Sequence, residues 1–136
     1  MNKRLSLVAI GFLLVAGVGY ADGVVGRWKY VEPVQASGAH REITLIFTAG
    51  QMTEIYQVFK DKKVLYELDL RGPYKVAEND LKVNWKSVSG DATQWTDDAT
   101  LNKSRANEWL IQFKNDVLVW APGPRTSGET FQLKKE

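Results

Sequence analysis

The residues able to do covalent chemistry are few and poorly placed for it. His40 is the single histidine of the 136-residue chain, and cysteine is absent. A nucleophile–histidine triad or a multi-histidine metal centre therefore has almost no material, and thiol catalysis and cysteine metal sites have none. The adjacent acids Asp97-Asp98 stand beside Thr96 and Thr100 and read first as a turn. Neighbours in an extended chain face opposite sides, which argues against joint acid–base work, and adding Asp91 does not assure the oxygen count that a hard cation needs. No glycine-rich phosphate cradle follows a strand and opens a helix. The expectation is a protein that is not an enzyme and that holds no metal or cofactor.

What remains is a set of side chains suited to enclosing something apolar. Phe47, Tyr66, Leu68, Trp85, Trp109 and Ile111 each fall on the inward beat of an alternating segment, and they are the candidate ligand-binding residues. Arg125, in the proline-stiffened run 121–128, adds a guanidinium that can pair with a carboxylate of a ligand or partner. The same large side chains fill a closed core equally well, so a ligand pocket and a packed interior both stay open at this level.

The elements that must position these groups are strands. Val64, Tyr66, Leu68, Leu70, Gly72, Tyr74 and Val76 recur at every second residue, with Glu67, Asp69, Arg71 and Lys75 opposite. A period of two sustained that far describes a long antiparallel strand, and Gly72-Pro73 marks a bend in it. The segments 41–48, 52–59, 81–85, 109–114, 117–120 and 130–134 repeat the pattern between turn-forming residues. With Val25 to Val31 and an irregular stretch from Ala92 to Leu101, about eight to ten strands and no helix are expected, an all-β barrel or sandwich. The segment Glu32 to His40 breaks the alternation and reads as a loop, with His40 an exposed loop imidazole.

The first residues carry a different pattern. Lys3 and Arg4 precede an apolar run of about 14 residues and the small-residue end Gly19-Tyr20-Ala21, which reads as a cleavable export signal over 1–21 rather than a membrane anchor. The expected mature chain, 22–136, is one soluble periplasmic or secreted domain. Of 18 basic residues two lie in the signal, leaving 16 against 16 acids. A neutral chain with scattered signs lacks the footprint of a nucleic-acid or anionic-membrane binder.

In order along the chain, Gly26-Arg27-Trp28-Lys29, Phe47-Thr48 with Gly50, Gly72-Pro73-Tyr74-Lys75-Val76 followed by Leu81-Lys82-Val83, and Phe131-Gln132-Leu133-Lys134 resemble the bacterial lipocalin-like domains of the calycin group. Avidin-type barrels also begin Gly-x-Trp. The resemblance spans essentially 22–136 and implies an antiparallel up-and-down β-barrel. It also implies that Trp28 plugs the closed end beneath a basic side chain of the last strand, Lys134 or Lys135, and that the first long connection lies over the open end as a lid. The chain differs from typical lipocalins in having no Thr-Asp-Tyr motif, and lysine where arginine is common. Two functions follow as expectations. One is a carrier or sensor for a small apolar or amphipathic ligand inside the barrel. The alternative is a module that binds an extracytoplasmic protein, such as an inhibitor of a periplasmic or host hydrolase, through its end loops.

Overall fold

The computed structural model describes residues 23–91, 102, 106–123 and 128–136. Its strands are β1 Gly26–Val31, β2 Ala39–Thr48, β3 Gln51–Lys60, β4 Lys63–Ala77, β5 Asp80–Val83, β6 Ser87–Gly90, β7 Glu108–Lys114, β8 Val117–Pro122 and β9 Phe131–Lys135. Neighbours run β3-β2-β1-β9-β8-β7-β5-β4, and β4 pairs back to β3. All pairings are antiparallel, so eight strands close a barrel and leave no open sheet edge between them. The ninth, β6, is an extra short strand on β4.

Alternation sets the inside. Ile43, Leu45 and Phe47 of β2, Leu68 and Leu70 of β4, Leu81 and Val83 of β5, and Leu118 and Trp120 of β8 are all buried. Their odd–even partners carry most of the charge. Tight hairpins hold the register. Thr48 pairs with Gln51, Lys60 with Lys63, Ala77 with Asp80 and Lys114 with Val117, leaving two residues in each turn. In the second of these Asp61 and Lys62 both take positive φ, 51° and 70°, the mirror-image turn whose twist suits a right-handed strand pair.

The Gly72-Pro73 bend has a steric cause. A Cβ at Gly72 would overlap the Asn84 carbonyl and stand 2.9 Å from Trp85 Cα, so only glycine lets β4 pass the chain linking β5 to β6. One edge of β4 serves first β5 (Tyr74 opposite Val83) and then β6 (Arg71 opposite Ser87). In the gap, Asn84 N donates to Pro73 O at 2.9 Å and Lys86 N to Arg71 O at 2.8 Å. Trp85, expected as part of a strand, lies in this break and is fully buried all the same. Its N–H donates to Asn102 Oδ1 at 2.8 Å, and its carbonyl accepts from Asn102 Nδ2 at 2.9 Å. One side-chain amide thus stands in for the missing strand.

Trp28 lies at the end where β1 begins. It is 1% exposed, and its Nε1 donates to Val24 O at 2.9 Å. Across the register β1 meets β9, with Trp28 opposite Lys135 and Lys29 opposite Lys134. The cation over the indole is accordingly Lys135, whose Nζ stands 5.6 Å from the ring. Lys134, the other candidate, is one residue off the inward beat and exposed. Gly26 belongs to the same arrangement. Its φ is +141° and a Cβ there would meet Lys135 Cε at 3.0 Å, so the glycine of Gly-x-Trp gives the lysine stem its path.

The first connection continues the β1–β2 ladder. Glu32 N donates to Arg41 O and Gln35 N to Ala39 O, each at 2.9 Å, which prolongs the β1–β2 ladder into a hairpin. Its tip is tied to the β3–β4 turn, where Lys60 Nζ donates to Ser37 O at 2.6 Å and Asp61 N to Gly38 O at 3.1 Å. His40, expected as an exposed loop residue, lies in β2 on the outer beat. Its ring stacks on Phe59 at 4.8 Å, and its Nε2 is 3.0 Å from Glu42 Oε2.

Candidate binding cavity

Toward the opposite end the interior is not filled. A cavity of about 240 Å³ is lined by Ile43 of β2, Glu54 and Tyr56 of β3, and Ala106 just before β7. Trp109 of β7, Trp120 of β8 and Phe131 of β9 complete the wall. The ladders explain why these meet: Ile43 stands opposite Tyr56, and Trp120 stands opposite both Ile111 and Phe131. Trp109 and Trp120 stack with centroids 3.8 Å apart and planes tilted by 33°, and Phe131 continues the row 6.0 Å from Trp120.

The polar content of this wall is unusual for a barrel core. Glu54 is only 6% exposed and sits on the inward beat of β3 between Met52 and Tyr56. Nε1 of Trp109 and of Trp120 are both buried, and neither has an acceptor among the described residues. An N–H left in that condition costs about 1–3 kcal/mol. Trp28 and Trp85, by contrast, each donate to a backbone carbonyl at 2.9 Å.

Above the Phe131 ring stands an ionic clasp. Arg41 Nη2 donates to Glu32 Oε2 at 2.7 Å and Nη1 to Glu129 Oε1 at 2.7 Å, while the Arg41 backbone N–H donates to Glu32 Oε1 at 3.0 Å. The guanidinium carbon lies 5.8 Å from the Phe131 centroid. Hydrogen bonds from Arg41 hold the carboxyls of Glu32 and Glu129 below their ordinary value, and the same two partners push the guanidinium higher still. The clasp joins the β1–β2 hairpin to the chain entering β9, formally one cation between two anions.

Of the residues expected to bind ligand, Trp109 lines the cavity. Phe47 sits elsewhere, opposite Gly26 and Met52, with its ring against Tyr74 at 5.2 Å. Leu68 and Ile111 neighbour the lining residues Tyr56 and Trp120 in the ladders, but they are fully buried and form no part of the wall. Trp85 is core, and Tyr66 is half-buried with its ring edge-on to Tyr56 at 6.5 Å. Arg125, the pair Asp97-Asp98 and the leader 1–21 lie outside the described residues. The lining residues that were not among the expected ligand-binding set are Ile43, Glu54, Tyr56, Ala106, Trp120 and Phe131. The signal for Glu54 was a glutamate in phase with Met52 and Tyr56.

A larger groove, about 490 Å³, runs along the β4–β5 hairpin between Pro73, Lys75, Asp80 and Lys82. Among the described residues it is walled by that hairpin alone, so it lacks the opposed walls that bury most of a ligand. No protein-family model matches the chain, and no curated protein matches it.

Proposed function

We propose that this protein is an exported, lipocalin-like carrier or sensor that holds one small, largely apolar molecule inside its barrel. The observation that carries the reading is the unfilled interior between Trp109, Trp120, Phe131 and Tyr56. Well-packed cores leave few voids larger than a water molecule. At about 240 Å³ the space exceeds the roughly 150 Å³ that accepts benzene and falls below the roughly 300–1,000 Å³ typical of drug-sized ligands. That favours one or two rings, or a short amphiphile, over a long acyl chain. A hydrogen-bond acceptor on such a ligand relieves an unpartnered indole N–H if it reaches one. The leader-like segment 1–21 supports export, and the Trp28–Lys135 plug supports the lipocalin-like assignment.

The test is a fluorescence titration with indole, naphthalene and short-chain alcohols and acids. With two tryptophans in the wall, a molecule that enters should give a saturable change. Ala106→Leu adds bulk at the wall and should weaken binding by roughly tenfold or more, with the far-ultraviolet spectrum unchanged. Absence of a saturable response across the panel would sink the proposal.

A further inference from the structure

The rim at the end opposite the Trp28 plug carries apolar side chains that the core does not use. Val31, Val34, Val64 and Leu65 are each at least half exposed, and the remaining exposed large apolar side chain among the described residues is Val25, beside Gly26 at the plugged end. Single exposed residues are ordinary, whereas a group of them marks a surface that meets something. These four belong to one structure. Val31 and Val34 are in the β1–β2 hairpin and Val64 and Leu65 open β4, and the two hairpins are tied by Lys60 Nζ on Ser37 O and Asp61 N on Gly38 O. Val64 stands opposite Phe59, whose ring stacks on His40, and Leu65 is the extra residue of the bulge beside them. Three strand spacings, about 14 Å, separate the β1 side of this surface from β4.

Charge on the same rim is one-sided. Signs balance over 22–136, but Lys60, Lys62 and Lys63 share the β3–β4 tip with a single acid, Asp61, and Pro33 to Ala39 carry no charge at all. Lys62 and Lys63 are exposed and have no ion-pair partner among the described residues. At the same end the carboxylates of Glu32 and Glu129 are already bridged by Arg41.

The residue types choose between occupants. Protein interfaces are depleted in lysine, and their binding energy concentrates in Trp, Tyr and Arg, with Leu and Val under-represented. Aliphatic tips flanked by lysines suit instead a surface that dips into the headgroup layer of an anionic bilayer, where apolar burial and attraction to lipid charge add together. We infer that this rim docks reversibly on an anionic lipid bilayer, with Val34, Val64 and Leu65 entering the headgroup boundary and Lys62 and Lys63 over lipid phosphates. The docking stands whether or not the cavity holds a ligand.

The test is flotation of the processed chain, residues 22–136, which carries every strand of the barrel. It is mixed with phosphatidylcholine vesicles or with vesicles of equal parts phosphatidylcholine and phosphatidylglycerol. The anionic vesicles should bind at least about tenfold more tightly, since each lysine near such a surface is worth roughly fivefold. Lys62→Gln with Lys63→Gln should remove most of that preference. Val64→Ser with Leu65→Ser should weaken anionic binding by about tenfold, while Val25→Ser at the plugged end should leave it within about twofold. Equal binding to the two vesicle types, or anionic binding that ignores the serine pair, overturns the inference. So does absence of binding to both. If vesicles do not bind and gel filtration shows a dimer that the serine pair dissociates, a second copy covers the rim and the bilayer assignment falls. Should the serine pair not fold, the two vesicle types and the lysine pair decide. None of these outcomes bears on the cavity titration, so the carrier reading stands or falls separately.

Discussion

The two ends of the barrel use tryptophan in opposite ways. At the plugged end Trp28 is enclosed, its N–H donates to Val24 O, and Lys135 lies over its ring. At the cavity end Trp109 and Trp120 are almost as buried, yet their N–H groups have no acceptor among the described residues and they border unfilled space. Buried polar groups in folded proteins are nearly always hydrogen-bonded, so the exceptions need a reason. The contrast separates a tryptophan whose N–H is satisfied within the fold from two whose N–H groups meet no acceptor among the described residues. Burial alone would have classed all three tryptophans together.

The largest effect is expected at the plug. Trp28→Ala removes a side chain that is 1% exposed and should cost about 3–5 kcal/mol by urea unfolding. A loss no greater than that of an exposed substitution such as Glu136→Ala would break the comparison, because Trp28 would then not be the element that seals its end.

A smaller effect sharpens the contrast. Trp28→Phe and Trp120→Phe delete the same atoms, so the cost of lost packing is shared. The first strands the Val24 carbonyl, worth about 1 kcal/mol, while the second removes a donor that was costing about 1–3 kcal/mol. Trp28→Phe should therefore be the more destabilising by about 2 kcal/mol or more. Equal losses would mean that the Trp120 N–H is satisfied in solution, and the two ends would no longer differ in kind.

How much of this was legible in the sequence depends on which distances a strand pattern encodes. Alternation in 64–76 and 109–113 identified inward faces, and Gly72-Pro73 located the bend that the close approach of Asn84 requires. Alternation within one strand says nothing of which side chains from different strands meet. Phe47, Leu68 and Ile111 have the right face but lie against packed neighbours, and only the ladders that join β1 to β4 and β7 to β8 fix that. Strand β3 hid its contribution for another reason. Its inward beat, Met52, Glu54, Tyr56 and Val58, is no more apolar than its outward beat of Thr53, Ile55, Gln57 and Phe59, so a hydrophobic period cannot tell the two faces apart. The buried Glu54 breaks the apolar alternation that would have revealed the inward face.

The choice between Lys134 and Lys135 is a register question of the same kind, and it yields the smallest effect. A slip of one residue between β1 and β9 would exchange the two lysines, because side chains alternate faces. In the observed register Lys135 lies over Trp28 while Lys134 faces Lys29 across the ladder. Lys135→Met keeps an unbranched stem against the indole and deletes the charge, so it should cost about 0.5–1 kcal/mol, the worth of a cation over an aromatic face that water still reaches. Lys134→Met should cost nothing measurable. Trp28 fluorescence gives an independent reading, since removing a cation from the ring face alters its emission, and only the change at Lys135 should do so. If the two variants behave alike, or Lys134→Met has the larger effect, β9 is shifted by one residue. Phe131 would then leave the cavity wall, and the two ends of the barrel would have to be redrawn together.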